Sequence, residues 1–316
     1  MKKKLKIVVP IILGVFFLYI TYRLTSQEER ELILKYIKSA KIEFILAAMF
    51  FGAFADIIRG LRWQLLSKSI GYKTNPIISV ASVFMCYTSN MAIARSGEFL
   101  RASVLSNYNK IPIGKTFGTI AAERVVDVII SFIILITVWA LQYQVIVESF
   151  FNTNMLYFIN DNITLISLFI ILISLIFVFF LKRSRWIRSF FKGILEGLSS
   201  ITKLNSNLIL FILFSLMIWS CYILAFFMIK FSIFELSYID SNLIFPAFVV
   251  GVYSISLSNH GLGVYPLAIS LFLANFGINT EIGLTYGWLA WSCQAIITLI
   301  FGALSFFVLP LLYTSD

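Results

Sequence analysis

Long apolar runs separated by short polar ones dominate this chain, and they occupy Leu5 to Tyr22, Phe44 to Ile58, Pro76 to Ala94, Val125 to Leu141, Ile163 to Leu181, Leu208 to Ile229, Leu243 to Leu257, Val264 to Phe276 and Tyr286 to Leu309. Ile163 to Leu181 alone is 19 residues without a charge, enough helix to cross about 30 Å of hydrocarbon. The pattern predicts an all-α polytopic membrane protein. Between Arg23 and Lys41, Ile33, Leu34 and Ile37 recur at helical spacing among charges, which predicts an amphipathic helix lying along the outer surface.

Nine apolar runs need not be nine crossings, and charge decides between the alternatives. If every run crossed with the amino terminus inside, the cytoplasmic segments would hold 9 Lys and Arg and the outer ones 16, the reverse of the positive-inside rule. Turning that topology over gives 16 against 9 but exports the Lys-rich amino terminus. Two re-entrant helical hairpins do better, one over 76–105 entering from the cytoplasm and one over 243–276 entering from outside. The count then becomes 19 inside and 6 outside. The stretch Gln142 to Asn162, which has Glu148 and Asp161 but no Lys or Arg, falls outside in this topology.

The expected architecture is therefore about six full transmembrane helices plus the two hairpins, with both termini cytoplasmic, in a cell (inner) membrane. It is a single transmembrane domain over 1–316 whose halves, roughly 1–141 and 163–309, run in opposite orientation. Inverted repeats with interrupted helices at mid-membrane are a transporter architecture.

Composition narrows this further. At 60% hydrophobic and 13% charged residues, a water-soluble fold is excluded. The net charge of +10 does not point to nucleic acid, because the basic residues flank apolar runs, where they meet anionic lipid head groups. The group Lys182, Arg183, Arg185, Arg188 and Lys192 reads the same way, as a cytoplasmic anchor. Lys2, Lys3, Lys4 and Lys6 precede an apolar stretch that no small-x-small site follows, so the first helix is expected to be uncleaved. Cys86, Cys221 and Cys293 lie far apart within apolar runs and read as buried small hydrophobes. No nucleotide loop, metal-ligand spacing or nucleophile elbow occurs, so no cofactor, metal or catalytic residue is expected.

Charges in the wrong place carry the candidate chemistry. Arg95, Glu98 and Arg101 follow one another at threes around Gly97, which puts them on one helix edge. Glu123 and Asp127, four apart and flanking Arg124, share another. Three cations and three carboxylates sum to zero, and Arg95 and Arg101 are the nearest candidates to pair with the two carboxylates. Unpaired, each charge would cost roughly 2.5 to 3.5 kcal/mol at membrane depth. The cluster reads either as a structural ion network or as a site where an arginine fork receives a lipid phosphate. In the second hairpin, Asn259, His260, Gly261 and Gly263 interrupt an apolar region. Asn259 and the glycines permit positive φ, and the freed amides could cradle an anion. His260, the only histidine, is a hydrogen-bonding group or a proton-coupling residue. Asp56, Arg59 and Arg62 before Trp63 read as a cytoplasmic cap with an interfacial aromatic, and Trp219, Trp288 and Trp291 as packing or belt residues.

At these residues the chain resembles a known family, the flippase-like integral membrane proteins related to the transmembrane domain of lysylphosphatidylglycerol synthase. The resemblance runs from about Arg59 to Gln294 through RGLRWQLL at Arg59 to Leu66, RSGEFLR at Arg95 to Arg101, ERVVD at Glu123 to Asp127 and GLGVYP at Gly261 to Pro266, then Gly287 to Trp291. It implies an inner-membrane protein that moves, or helps to move, phospholipids or polyprenol-linked intermediates between leaflets. Ala94 stands where members often have proline, Asn259 and His260 depart from the pattern of the second turn, and Pro266 stands where glutamate is common. The aminoacyl-transferase domain of the synthases is not present in the chain, so lysine transfer is not expected.

The expected function is thus flipping or transport of a phospholipid or polyprenyl-phosphate-linked lipid, in preference to catalysis. The expected partner is that lipid and its anionic head group, with association between copies of the chain left open. The alternatives are an integral-membrane transferase using a lipid-phosphate donor, with Glu98, Glu123 or Asp127 as base, and a non-catalytic envelope scaffold.

Overall fold

A computed structural model describes residues 19, 22–23, 26–93, 96–142, 201, 203–255 and 258–312. The predicted spans Leu5 to Tyr22 and Ile163 to Leu181, the outer stretch after Gln142 and the basic loop at Lys182 lie almost wholly or wholly outside the described residues, as does Arg95. Within them the secondary structure is helical: α1 (Gln27–Ser39), α2 (Ile42–Ser69), α3 (Pro76–Ala92), α4 (Gly97–Asn109), α5 (Ile113–Leu141), α6 (Leu208–Ile229), the one-turn α7 (Phe234–Ser237), α8 (Ser241–Ser254), α9 (Val264–Ala274) and α10 (Thr280–Leu312). Four of these, α2, α5, α6 and α10, are long and apolar enough to cross a membrane. The chain is a multi-pass membrane protein.

Local chemistry sets the helix starts. Ser26 and Glu29 form a reciprocal capping box on α1, the Asn75 side chain accepts from the Ile77 amide ahead of α3, and Asp240 accepts from the Asn242 amide on α8. Each satisfies an amide that the helix cannot. Ile33 is the buried residue of α1, and Ile37 packs against the apolar core, so the expected amphipathic helix is present.

The long helices are apolar on the outside: α5 exposes Val128, Ile129, Phe132, Ile133 and Ile136, as a helix facing lipid tails does. Their mutual contacts use small residues. A Cβ on Gly60 of α2 would meet the Val80 backbone of α3 at 2.6 Å, and one on Gly287 of α10 would meet Pro266 Cα of α9 at 2.4 Å. Without a hydrophobic drive between helices, such close approach is what dispersion requires.

Two pairs of short helices fold back on themselves. In α3 and α4 the Asn75 amide bonds Asn109 Oδ1 at one end, and the Gly97 amide bonds Asn90 Oδ1 at the other. In α8 and α9, Gly251 abuts Tyr265 near the turn, while Lys230 bonds Ser241 and Ser270 bonds the Thr280 carbonyl at the base. Helix α10 fixes their relative placement. Its Thr298 carbonyl accepts from Thr88 of α3, while its Trp291, farther towards Thr280, donates to the His260 carbonyl in the α8–α9 turn. The turn also touches α3. The two turn regions thus lie near each other beside the middle of α10.

Two boundaries differ most from expectation. Helix α5 begins at Ile113, well before Val125, and α2 continues past Ile58 to Ser69. In both cases a hydropathy pattern ends the span at charged residues, whereas the helix runs on because those charges are paired inside the bundle.

Candidate functional site

The buried stripe of α2 runs Ala48, Gly52, Ala55, Arg59, Arg62, Leu66, a spacing of threes and fours that carries two arginines inward on the face that small residues occupy higher up. On α5 the corresponding stripe is Thr116, Thr119, Glu123, Asp127, and on α4 it is Gly97, Arg101, Val104. Where the three faces converge, they bring Arg59, Arg62 and Arg101 together with Glu123 and Asp127. Arg101 Nη1 donates to Glu123 Oε2 at 2.8 Å, and Arg62 approaches both Glu123 Oε1, at 3.5 Å, and Asp127 Oδ1, at 2.9 Å. Arg59 pairs with Asp127. Arg62, Arg101 and Glu123 are 0%, 2% and 1% exposed.

A second pair, Arg124 Nη2 to Glu98 Oε1 at 3.0 Å, forms the rim, with side chains 36% and 27% exposed. Asn90 reaches from α3 to the other Glu98 oxygen at 3.4 Å. The cluster is deep. Taking 1.5 Å per residue, Asp56, Arg59 and Arg62 lie about 10 to 20 Å from the Ser69 end of α2, and Glu123 and Asp127 about 15 to 21 Å from the Ile113 end of α5. Lys115 bonds Tyr72 at 3.2 Å, which places those two ends on the same side of the bundle.

Helix α6 completes the wall. Arg62 donates to Ser215 Oγ at 2.9 Å and lies over the Phe211 ring, and the Tyr222 hydroxyl donates to Asp56 Oδ1 at 2.7 Å. Asp56 Oδ2 accepts from Gln294 of α10 at 3.1 Å, one turn beyond Trp291. A polar path therefore links the arginine cluster through Asp56 and Gln294 to the level of the second turn. Even so, Arg59 Nε, Arg62 Nη2, Arg101 Nε and Arg101 Nη2 are buried donors without a hydrogen bond among the described residues. Buried guanidinium donors are seldom left so, and a planar fork with free N–H groups matches phosphate oxygens.

Of the residues expected at the site, Glu98, Arg101, Glu123, Arg124 and Asp127 come together here. The pairing differs from expectation: Arg101 takes Glu123, but Asp127 is taken by Arg59 and Arg62. Those two and Asp56, expected as a cytoplasmic cap, are instead buried in the cluster, because α2 does not end at Ile58. The other expected group forms the α8–α9 turn, where φ is 54° at His260, 77° at Gly261 and 74° at Gly263. The left-handed backbone thus includes His260 itself, a residue type that bears it at some cost, and Trp291 holds it by bonding its carbonyl at 2.9 Å. For Asn259 the backbone alone is described, and it belongs to the single 3-10 turn with His260 and Gly261.

Comparison with known proteins places this arrangement in context. The family described as the lysylphosphatidylglycerol synthase TM region matches residues 7–302. A UPF0104 membrane protein of Methanocaldococcus jannaschii is 29% identical over 98 residues, covering 30% of this chain and 29% of that protein. The glycosyltransferase AglD of Haloferax volcanii is 30% identical over 73 residues, covering 23% of this chain and 12% of that protein. The matches thus span less than a third of either relative. No solved structure matches the chain.

Proposed function

The chain belongs to the family of the lysylphosphatidylglycerol synthase TM region, and we propose that it moves a phosphate-bearing lipid between the leaflets of the cell membrane. The phosphate is held by the arginines of the buried cluster while the tails remain in the bilayer. The observation that carries this reading is the set of unsatisfied donors on Arg59, Arg62 and Arg101 at membrane depth. Buried ion pairs contribute little net stability compared with apolar residues of the same volume. A network of this size is therefore poorly explained as scaffolding alone.

The hairpins supply the route. Neither limb of α8–α9 nor of α3–α4 reaches 18 residues, and at 1.5 Å per residue each falls short of about 30 Å. Read as re-entrant elements from opposite leaflets, they leave the site shared between two half-membrane walls, as in inverted-repeat transporters. The order long, short, short, long occurs twice, in α2 to α5 and in α6, α8, α9 and α10, which supports two halves of opposite orientation. The excess of Lys and Arg at the Ser69 and Ile113 ends supports a cytoplasmic side there. The half-exposed Glu98–Arg124 pair is the entrance for a head group, and the turn at Asn259 to Gly263 bounds the site on the other side.

Reconstitution into liposomes with a labelled phospholipid in one leaflet tests this reading. The expected result is leaflet exchange well above that of protein-free vesicles and reduced in Arg101→Gln. Exchange at the protein-free rate would refute it. A second reading, transfer of a group from a lipid-phosphate donor, draws on the local likeness to a glycosyltransferase. It requires a covalently altered lipid after incubation, with Glu123 or Asp127 as base.

A further inference from the structure

Asp56 differs from every other carboxylate of the cluster. Glu98, Glu123 and Asp127 each touch an arginine, whereas Asp56, fully buried, makes no ion pair among the described residues. Its oxygens accept from two neutral groups instead, the Tyr222 hydroxyl at 2.7 Å and the Gln294 amide at 3.1 Å. The titratable and charged groups that face it are Arg59, one turn along its own helix, Tyr222 on α6, Tyr87 on α3 and, farther away, Arg124 on α5. From α10 the facing polar group is the neutral Gln294.

Charge counting gives this difference a consequence. With all groups ionised, Arg59, Arg62, Arg101 and Arg124 cancel Asp56, Glu98, Glu123 and Asp127. Removing charge from any of the last three would leave a guanidinium bare against it. Asp56 can be neutralised alone. Its partners tolerate either form, since a tyrosine hydroxyl can donate to a carboxylate or reverse and accept from a carboxylic acid, while Gln294 continues to donate to the other oxygen. A proton on Asp56 leaves the cluster with one cation in excess, and the nearest is Arg59, which also faces the Tyr222 ring at 5.9 Å.

Resting on the lipid-phosphate reading above, we propose that Asp56 is a proton-binding site coupled to the arginine cluster. A proton on Asp56 and an anionic phosphate on the arginines bind together, and by linkage each strengthens the other to the same extent. Lipid movement through such a site follows the proton gradient.

Short-chain phosphatidylglycerol added to the purified full chain in a weakly buffered detergent solution with a pH indicator tests this, with short-chain diacylglycerol as the control lacking phosphate. Wild-type protein is expected to take up protons on binding the phospholipid and to bind it more tightly as pH falls, on the order of tenfold, a typical coupling. Asp56→Asn is expected to bind at the wild-type low-pH affinity at every pH, with no proton uptake, and Asp56→Glu to restore both. Tyr222→Phe removes a bond that favours the ionised form, so it is expected to tighten binding at neutral pH, a check that stands if Asp56→Asn does not fold. Binding without proton uptake, or uptake unchanged in Asp56→Asn, overturns the coupling alone. Absence of phospholipid binding at every pH overturns the phosphate reading and the coupling with it.

Discussion

The two short hairpins both pack on apolar clusters, but only the first has a buried ionic group beside it. Around α3 and α4 an apolar cluster that includes Ile78, Met85, Ala102 and Leu105 sits beside an ionic one, in which Arg62, Arg101, Glu123 and Asp127 are buried. Around α8 and α9 the interior is aromatic and aliphatic, with Phe226, Phe248, Ile269, Leu273 and Tyr286 in one apolar cluster. Charge there lies at the base, at Lys230, Glu235, Asp240 and Glu281. Its turn is shaped by left-handed backbone at His260, Gly261 and Gly263 and by side-chain bonds to its carbonyls, from Trp291 to His260 and from Ser258 to Leu262. One hairpin therefore presents charge and the other presents form. Charge inside a membrane is expensive and seldom stabilising, which is why the proposed site lies beside the first hairpin and not the second.

Breaking the ionic half should produce the largest effect. Glu123→Ala leaves Arg62 and Arg101 facing each other without their shared carboxylate and should cost about 3 to 5 kcal/mol, read as a lowered denaturation midpoint in detergent. Replacing the pair together, with Arg101→Met and Glu123→Leu, should remain within about 1 kcal/mol of wild type. In the apolar half, Gly287→Val drives a side chain into the Pro266 backbone and should cost about 1 to 3 kcal/mol without altering which lipid copurifies. Trp291→Phe removes one hydrogen bond to the His260 carbonyl. It should cost about 1 kcal/mol and speed amide exchange from Ser258 to Val264, because the left-handed turn loses its tether. Ser26→Ala, away from both hairpins, should cost about 0.5 to 1 kcal/mol and leave lipid binding as it is.

How much of this could be read from the chain depends on where hydropathy and burial agree. They agree along α6 and α10, whose expected runs fall within the observed helices. They part at α2 and α5, where a window that scores charge as polar closes the span at Ile58 or opens it at Val125, although the helix carries its charges inward. The signal that Arg59 and Arg62 are interior was available in their register with Ala48, Gly52 and Ala55, small residues of the kind that pack between helices. Their partners were not legible, since Arg59 meets Asp127 and Arg62 meets Ser215 across 68 and 153 residues, and no local spacing encodes that. The glycines of the second turn were legible as positive φ. The left-handed His260 was not, because it depends on Trp291, which by sequence alone is one more membrane tryptophan.

The central claim is that the buried arginines hold a lipid phosphate, and native mass spectrometry of the detergent-purified protein addresses it most directly. The wild-type chain should retain a phosphate-bearing lipid, and the Arg101→Met, Glu123→Leu double variant, folded and with its remaining charges balanced, should lose it. Equal retention of that lipid by both proteins would contradict the account.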